Sequence, residues 1–116
     1  MLDIILFAND EITRRLGLMH RKPIQENECA FFQFPRLGKH SFWNKNVDFP
    51  ISLIFCDDNL KVKDIKYLEA QQTSGVAPES YNIKYVIEAH VDIPKKLNIS
   101  KNDKIIIEDN KIKVIK

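Results

Sequence analysis

Ile51-Ser52-Leu53-Ile54-Phe55-Cys56-Asp57-Asp58-Asn59 is the stretch on which the fold turns. Its first six residues form a short apolar run that reads as a buried strand. Asp57-Asp58-Asn59 then supplies turn residues, whose short side chains bond to nearby backbone. Residues 60–69 follow as the hairpin partner, with Val62 and Ile65 flanking a change of face.

The pattern extends in both directions. Residues 2–8 and 29–34 read as strands, the second ended by Pro35. Arg36 to Lys39 turn the chain through Gly38. Residues 40–45 form another short strand before a bend over 46–50. Residues 83–91 alternate Ile83, Tyr85, Ile87 and Ala89 against other residues. Residues 104–108 and 111–115 make a hairpin across Asp109-Asn110, a pair that tolerates positive φ. Helix is scarce. Asn9-Asp10-Glu11 places a cap candidate and two acids at a helix start, Ile12 and Leu16 share a face, Arg14 and Arg15 lie near the end, and Gly17 stops a helix of about two turns. Ile93 to Asn98 fits one helical turn. The longest irregular stretch is 70–82, and a loop of that length in a small domain is often functional. With about eight strands, no internal repeat and no βαβ alternation, the expectation is a mainly β single domain, a jelly-roll-like sandwich or barrel.

A chain of 116 residues is one domain by size, and buries about two-thirds of the surface its unfolded form exposes. A core therefore needs no disulfide or structural metal. Cys29 and Cys56 lie in apolar runs without a CxxC partner, as buried structural cysteines do. Net charge is +2, unevenly spread. Residues 95–116 hold seven lysines against three acids, and residues 1–94 hold 11 basic against 13 acidic residues. Lysine alternates with Ile and Val at 111–114, as on a half-exposed edge strand, and no aromatic residues interleave for base stacking. Nucleic acid is therefore not the expected partner. Residues 4–8 are too few for a signal peptide, and Asp3 precedes them where a positive charge belongs. No run approaches the roughly 18 apolar residues of a membrane span. A soluble, cytoplasmic protein is the expectation, with its oligomeric state open.

Ser41-Phe42-Trp43-Asn44-Lys45-Asn46 contains the only tryptophan and a dense set of hydrogen-bond donors. Strand alternation would put Trp43 and Lys45 on one face and Phe42 and Asn44 on the other. If Phe42 faces the core, Trp43 and Lys45 wall a groove suited to a small polar or anionic ligand. The competing reading makes Trp43 core, with Lys45 reaching past it. His20-Arg21-Lys22 offers a cationic loop, and Arg21 can grip carboxylate or phosphate. His40 and Ser41 are neighbours, but adjacent strand side chains diverge and no nucleophile elbow surrounds them. Asp57-Asp58-Asn59 lacks the rest of a calcium loop. Neither metal nor cofactor is expected. Glu88 is the one acid inside a hydrophobic strand. It should face solvent or pair with a cation, Lys45 or Arg21 being the candidates.

The order Gly17-Leu18-Met19-His20-Arg21, Phe31-Phe32-Gln33-Phe34-Pro35, Ser41-Phe42-Trp43-Asn44-Lys45-Asn46, Pro50 before a hydrophobic strand and Asp57, and Tyr85-Val86-Ile87-Glu88 resembles the uncharacterised family catalogued as domain of unknown function 192. The resemblance spans about residues 3–108 and implies a jelly-roll-like β fold with little helix. It also implies that the family's shared polar residues fall on Arg21, Trp43, Lys45, Asn46 and Glu88. It implies no activity, and many relatives look exported behind a signal peptide. This chain has Asn44 where the family usually has Met, Val47 where it has Thr, and Ser52 where it has Asp. An Asp acting as a base or metal ligand could not be replaced by Ser52, which favours binding over catalysis. Three functions follow as expectations: ligand binding around Trp43; an enzyme using Glu88 with Lys45 or Arg21; or nucleic-acid or partner binding through the lysine-rich end.

Overall fold

In the computed structural model, which describes residues 1–116, β1 (Leu2–Ala8) leads through α1 (Glu11–Leu16) into β2 (Glu28–Gly38). The chain continues through β3 (Ile51–Cys56), β4 (Val62–Leu68), β5 (Ile83–His90), α2 (Ile93–Lys96), β6 (Lys104–Glu108) and β7 (Lys111–Ile115). All seven strands join one sheet in the order β4-β3-β5-β2-β1-β7-β6. The sheet curls until its two edges meet at one end. There Lys61 bridges Lys104, and the Val62 and Ile105 amides donate to the Asp103 and Leu60 carbonyls at 2.9 and 2.8 Å.

The central strands are buried on both faces, and all six residues of β3 are inaccessible. Alternation divides them between two apolar clusters. Phe32, Leu53, Phe55 and Val86 belong to one, and Phe31, Ile54, Cys56 and Ile87 to the other. This is why residues 29–34 and 51–56 read as continuous apolar runs rather than alternating ones. Ile93, Ile99, Ile105 and Ile112 cover the second face, while Leu18, Ile24, Val47 and Phe49 cover the first from loops.

The mainly β expectation holds, with corrections. One curled sheet forms in place of two facing jelly-roll sheets. Seven strands form rather than eight, because residues 40–45 pair with the 70–82 loop instead of with a strand. Phe42 and Val76 exchange backbone bonds at 2.9 and 2.8 Å, and the Asn44 amide donates to the Gln72 carbonyl at 2.7 Å. Pro35 does not end β2. A register shift between Gln33 and Gly38 places it where the ladder needs no amide. One βαβ unit exists after all: β1 and β2 are parallel neighbours, and residues 9–27 supply the crossover. The predicted turns hold. The Asp57 carboxylate accepts from the Asn59 and Lys61 amides, both at 2.9 Å, and Asp109 and Asn110 both take positive φ.

Cys29 pairs with Ala89 on one side of β5, and Cys56 with Tyr85 on the other. Those partners are four positions apart along β5, roughly 13 Å along the strand, beyond disulfide reach. Both thiols are free, and burial pushes each up to about 12. No helix is long and apolar enough to cross a membrane.

Phe55 is fully buried, and its ring lies 6.1 Å from that of Phe42. Phe55→Ala should cost about 3–5 kcal/mol of unfolding free energy, measured by urea denaturation. A loss below about 1 kcal/mol would mean the cluster does not pack as described.

Candidate functional site

α1 stands off the core. None of its residues is buried, and Ile12 and Leu16 are 79% and 53% exposed. Local chemistry holds it together: the Thr13 amide donates to the Asp10 carboxylate at 2.7 Å, and the Asp10 amide donates back to the Thr13 hydroxyl at 3.3 Å. Arg14 fastens the helix to β2. Its guanidinium donates to the Gln33 carbonyl at 2.9 Å and lies 5.3 Å from the Phe34 ring centre. Gly17 follows with φ 48°, and a Cβ there would meet the Phe32 ring at 3.5 Å. That contact is an ordinary one, so it is the positive φ, not lack of space, that favours glycine here.

Residues 41–47 form the opposite wall. Asn44 is the clasp of this segment. Its side-chain amide donates to the Phe49 and Glu69 carbonyls, both at 2.9 Å, while its buried Oδ1 has no partner. Asn46 takes φ 61°, receives the His20 amide on its carbonyl at 3.0 Å, and donates its own amide to the Gln71 side chain at 3.1 Å. Although no strand forms, the expected alternation of faces appears. Phe42 packs on the core and Asn44 is buried, while Trp43 and Lys45 are exposed. The Lys45 ammonium lies 5.5 Å from the Trp43 ring centre. The core reading of Trp43 is thereby set aside.

Between these walls lies a cleft of about 450 Å³, lined by α1, Trp43, Lys45, the rings of Phe32, Phe34 and Phe42, and Glu88. A second recess of about 500 Å³ adjoins it, lined by Ile12, Leu16, Met19, Trp43 and Asn46 among others. Glu88 sits on β5 opposite Ala30 of β2 and Leu53 of β3. It is 4% exposed. Burial pushes its carboxyl up to about 8, and neither a hydrogen bond nor a neighbouring charge offsets that burial. It neither faces solvent nor pairs with a cation, contrary to the expectation from sequence.

Of the five expected site residues, Trp43, Lys45 and Glu88 line the cleft and Asn46 lines the adjoining recess. Arg21 is exposed and lines neither. Besides Lys45, the cations lining the cleft are Arg14 and Arg15, and Arg15 pairs with Glu11 at 3.0 Å. The shared face of Ile12 and Leu16 beside those arginines is the sequence signal that points to this wall. Ser52 falls on the other sheet face, where its hydroxyl lies 3.2 and 3.1 Å from the Ala89 and His90 carbonyls. That departure from the family pattern therefore does not alter the cleft, whereas Asn44 and Val47 line it. Elsewhere, Glu26, His90 and Asp92 bring potential ligand atoms within 4.8 Å of one another, but the Lys96 ammonium already contacts Glu26.

The Glu88 shift makes stability depend on pH. An acid raised from 4.5 to about 8 keeps its proton in the folded chain after the unfolded chain has lost it. Stability from this group is full below the unfolded value and falls as pH rises toward about 8. Urea denaturation at pH 5 and pH 8 should show a loss on the order of a few kcal/mol that Glu88→Gln abolishes. An equal slope in both proteins would assign the dependence to other groups.

The profile of the family DUF192, described as "Uncharacterized ACR", matches residues 4–107. Among solved structures, one is of a protein of unknown function from Novosphingobium aromaticivorans. It superposes with a TM-score of 0.79 at 21% identity, over 84% of this chain and 70% of that one. Another, from Sinorhizobium meliloti and described provisionally as a transcription regulator, gives 0.79 at 21% identity, over 93% and 78%. At these identities the likeness is one of fold. No curated protein matches the chain.

Proposed function

We propose that this chain, which belongs to the domain of unknown function 192 family, is a small-molecule binding domain whose site is the cleft between α1 and residues 41–47. The observation that carries this reading is Glu88, a carboxyl 4% exposed, without a partner, lining a cleft of about 450 Å³. A buried polar group without a partner costs free energy, so its persistence favours a use at that position. Trp43 supplies a flat wall at the mouth. Arg14, Arg15 and Lys45 outnumber Glu11 among the charged residues around it, which suits a ligand with an anionic group.

A second reading keeps the same residues and makes Glu88 a general acid or base, as its raised pKa allows. It requires a reacting group to be brought to a carboxyl that has no companion nucleophile beside it, so binding is preferred. Nucleic-acid binding through the C-terminal lysines has less support. Lys111 pairs with Asp3 at 3.0 Å, Lys116 with Asp103 at 2.7 Å, and Lys96 with Glu26. The regulator description of the Sinorhizobium protein rests on that protein and comes here with the fold alone.

Thermal-shift screening against small polar and anionic compounds tests the cleft, because a ligand raises the melting temperature by mass action. Trp43→Ala and Lys45→Ala should each weaken any hit by about tenfold or more. Hits whose shifts survive both substitutions bind elsewhere, and the cleft reading then fails.

A further inference from the structure

Glu88 is surrounded by groups that do not answer it. Its strand neighbours are Ala30 and Leu53. The charged residues that share its cleft come from two elements only. From α1 come Glu11, Arg14 and Arg15, and from the 41–47 segment comes Lys45. Each cation is engaged at the walls. Arg14 donates to the Gln33 carbonyl, Arg15 pairs with Glu11, and Lys45 lies over Trp43. The rest of the lining is mostly apolar, Ser41 and Asn44 excepted, and includes the rings of Phe32, Phe34 and Phe42. Phe32 and Phe42 meet edge to face at 5.2 Å between ring centres, and Phe34 and Phe42 at 5.9 Å.

We infer that the cleft takes a small zwitterion, its ammonium group seated on Glu88 among the rings of Phe32, Phe34 and Phe42 and its anionic group toward Lys45 and Arg15 at the rim. This rests on the cleft being the binding site. An ammonium carries three donors and no acceptor, so it can serve both carboxyl oxygens. A neutral carbonyl could use only the proton of the acid. Aromatic faces attract a cation further, most strongly when it is desolvated. A buried ion pair persists only if its charges are well satisfied, and the cationic rim meets the ligand's other charge. Glu88 also starts out protonated at neutral pH, because burial holds its carboxyl up at about 8. Seating an ammonium favours the carboxylate, so the Glu88 proton leaves to solvent as the ion pair forms.

Isothermal titration with an ω-amino acid series, glycine through 6-aminohexanoate, tests this against n-butylamine and butyrate. Titrations near pH 7 in two buffers of different ionisation heat count the protons released. One chain length should bind at least about tenfold more tightly than either monofunctional control. It should release close to one proton in the wild-type protein. Glu88→Gln should weaken that ligand about tenfold or more and abolish the release. Butyrate binding as tightly as the best amino acid, in a manner lost in Trp43→Ala, would overturn the amine assignment and leave the cleft reading standing. Failure of the whole series to bind, or binding without proton release, would also overturn it. Release is read on the wild-type chain, so the test survives a Glu88→Gln protein that folds poorly.

Discussion

A sheet whose central strands are apolar on both faces must be covered twice, and the rest of this structure follows from that requirement. β3 has no exposed residue, and β2 and β5 carry large side chains in both clusters. Burying these side chains is the main driving force available to a chain of this size. One face is covered by regular elements: the sheet curls, and β6, β7 and the residues around α2 bring isoleucines against it. The other is covered by segments without regular structure, chiefly residues 17–24, 41–49 and the 70–82 loop. Irregular cover cannot pack as a strand or helix does, and the cleft lies where it is incomplete.

That irregular cover has its own polar demands. Loop backbone at a buried face must find partners without a ladder, and Asn44 answers two carbonyls and one more through its own amide. A methionine at this position, as the family resemblance implies for relatives, could make neither side-chain bond. Asn44 therefore stabilises this chain's version of the wall by a route of its own, at the cost of one unpaired oxygen. Asn46 and His20, both at positive φ, tie the wall to the loop that follows α1. The two sides of the cleft are thus fastened to each other at one end.

The sequence was legible where side-chain pattern decides structure. The runs at 51–56 and 83–91, the Asp57 turn and the Asp109-Asn110 hairpin all followed from local chemistry. So did the facing of Phe42 and Trp43, since alternation operates in an extended segment whether or not a ladder forms. What was not legible depends on distant partners. The parallel pairing of β1 with β2 leaves no mark within either strand. Pro35 reads as a strand end until the register shift beside it is known. The exposed side of α1 could not be assigned to a cleft wall before its position over β2 was fixed. Arg21 and Arg14 are equally plausible cations from sequence, and only the anchoring of Arg14 to the Gln33 carbonyl separates them.

Face assignment also decides what the departures from the family pattern mean. Ser52 and Glu88 are on adjacent strands, one pair apart in register, so strand alternation sends them to opposite sides of the sheet. An aspartate at position 52 would meet the Ala89 and His90 carbonyls, with no path to the cleft. Its replacement by serine substitutes a donor for a charge in a buried setting, which is a matter of stability. Glu88 has the opposite character. A hydrophobic residue beside Ala30 and Leu53 would pack better than an acid held neutral by burial. Stability alone would favour that exchange. The cleft and the cost are at the same residue, which is the arrangement expected when a site is kept for what it binds rather than for what it contributes to the fold.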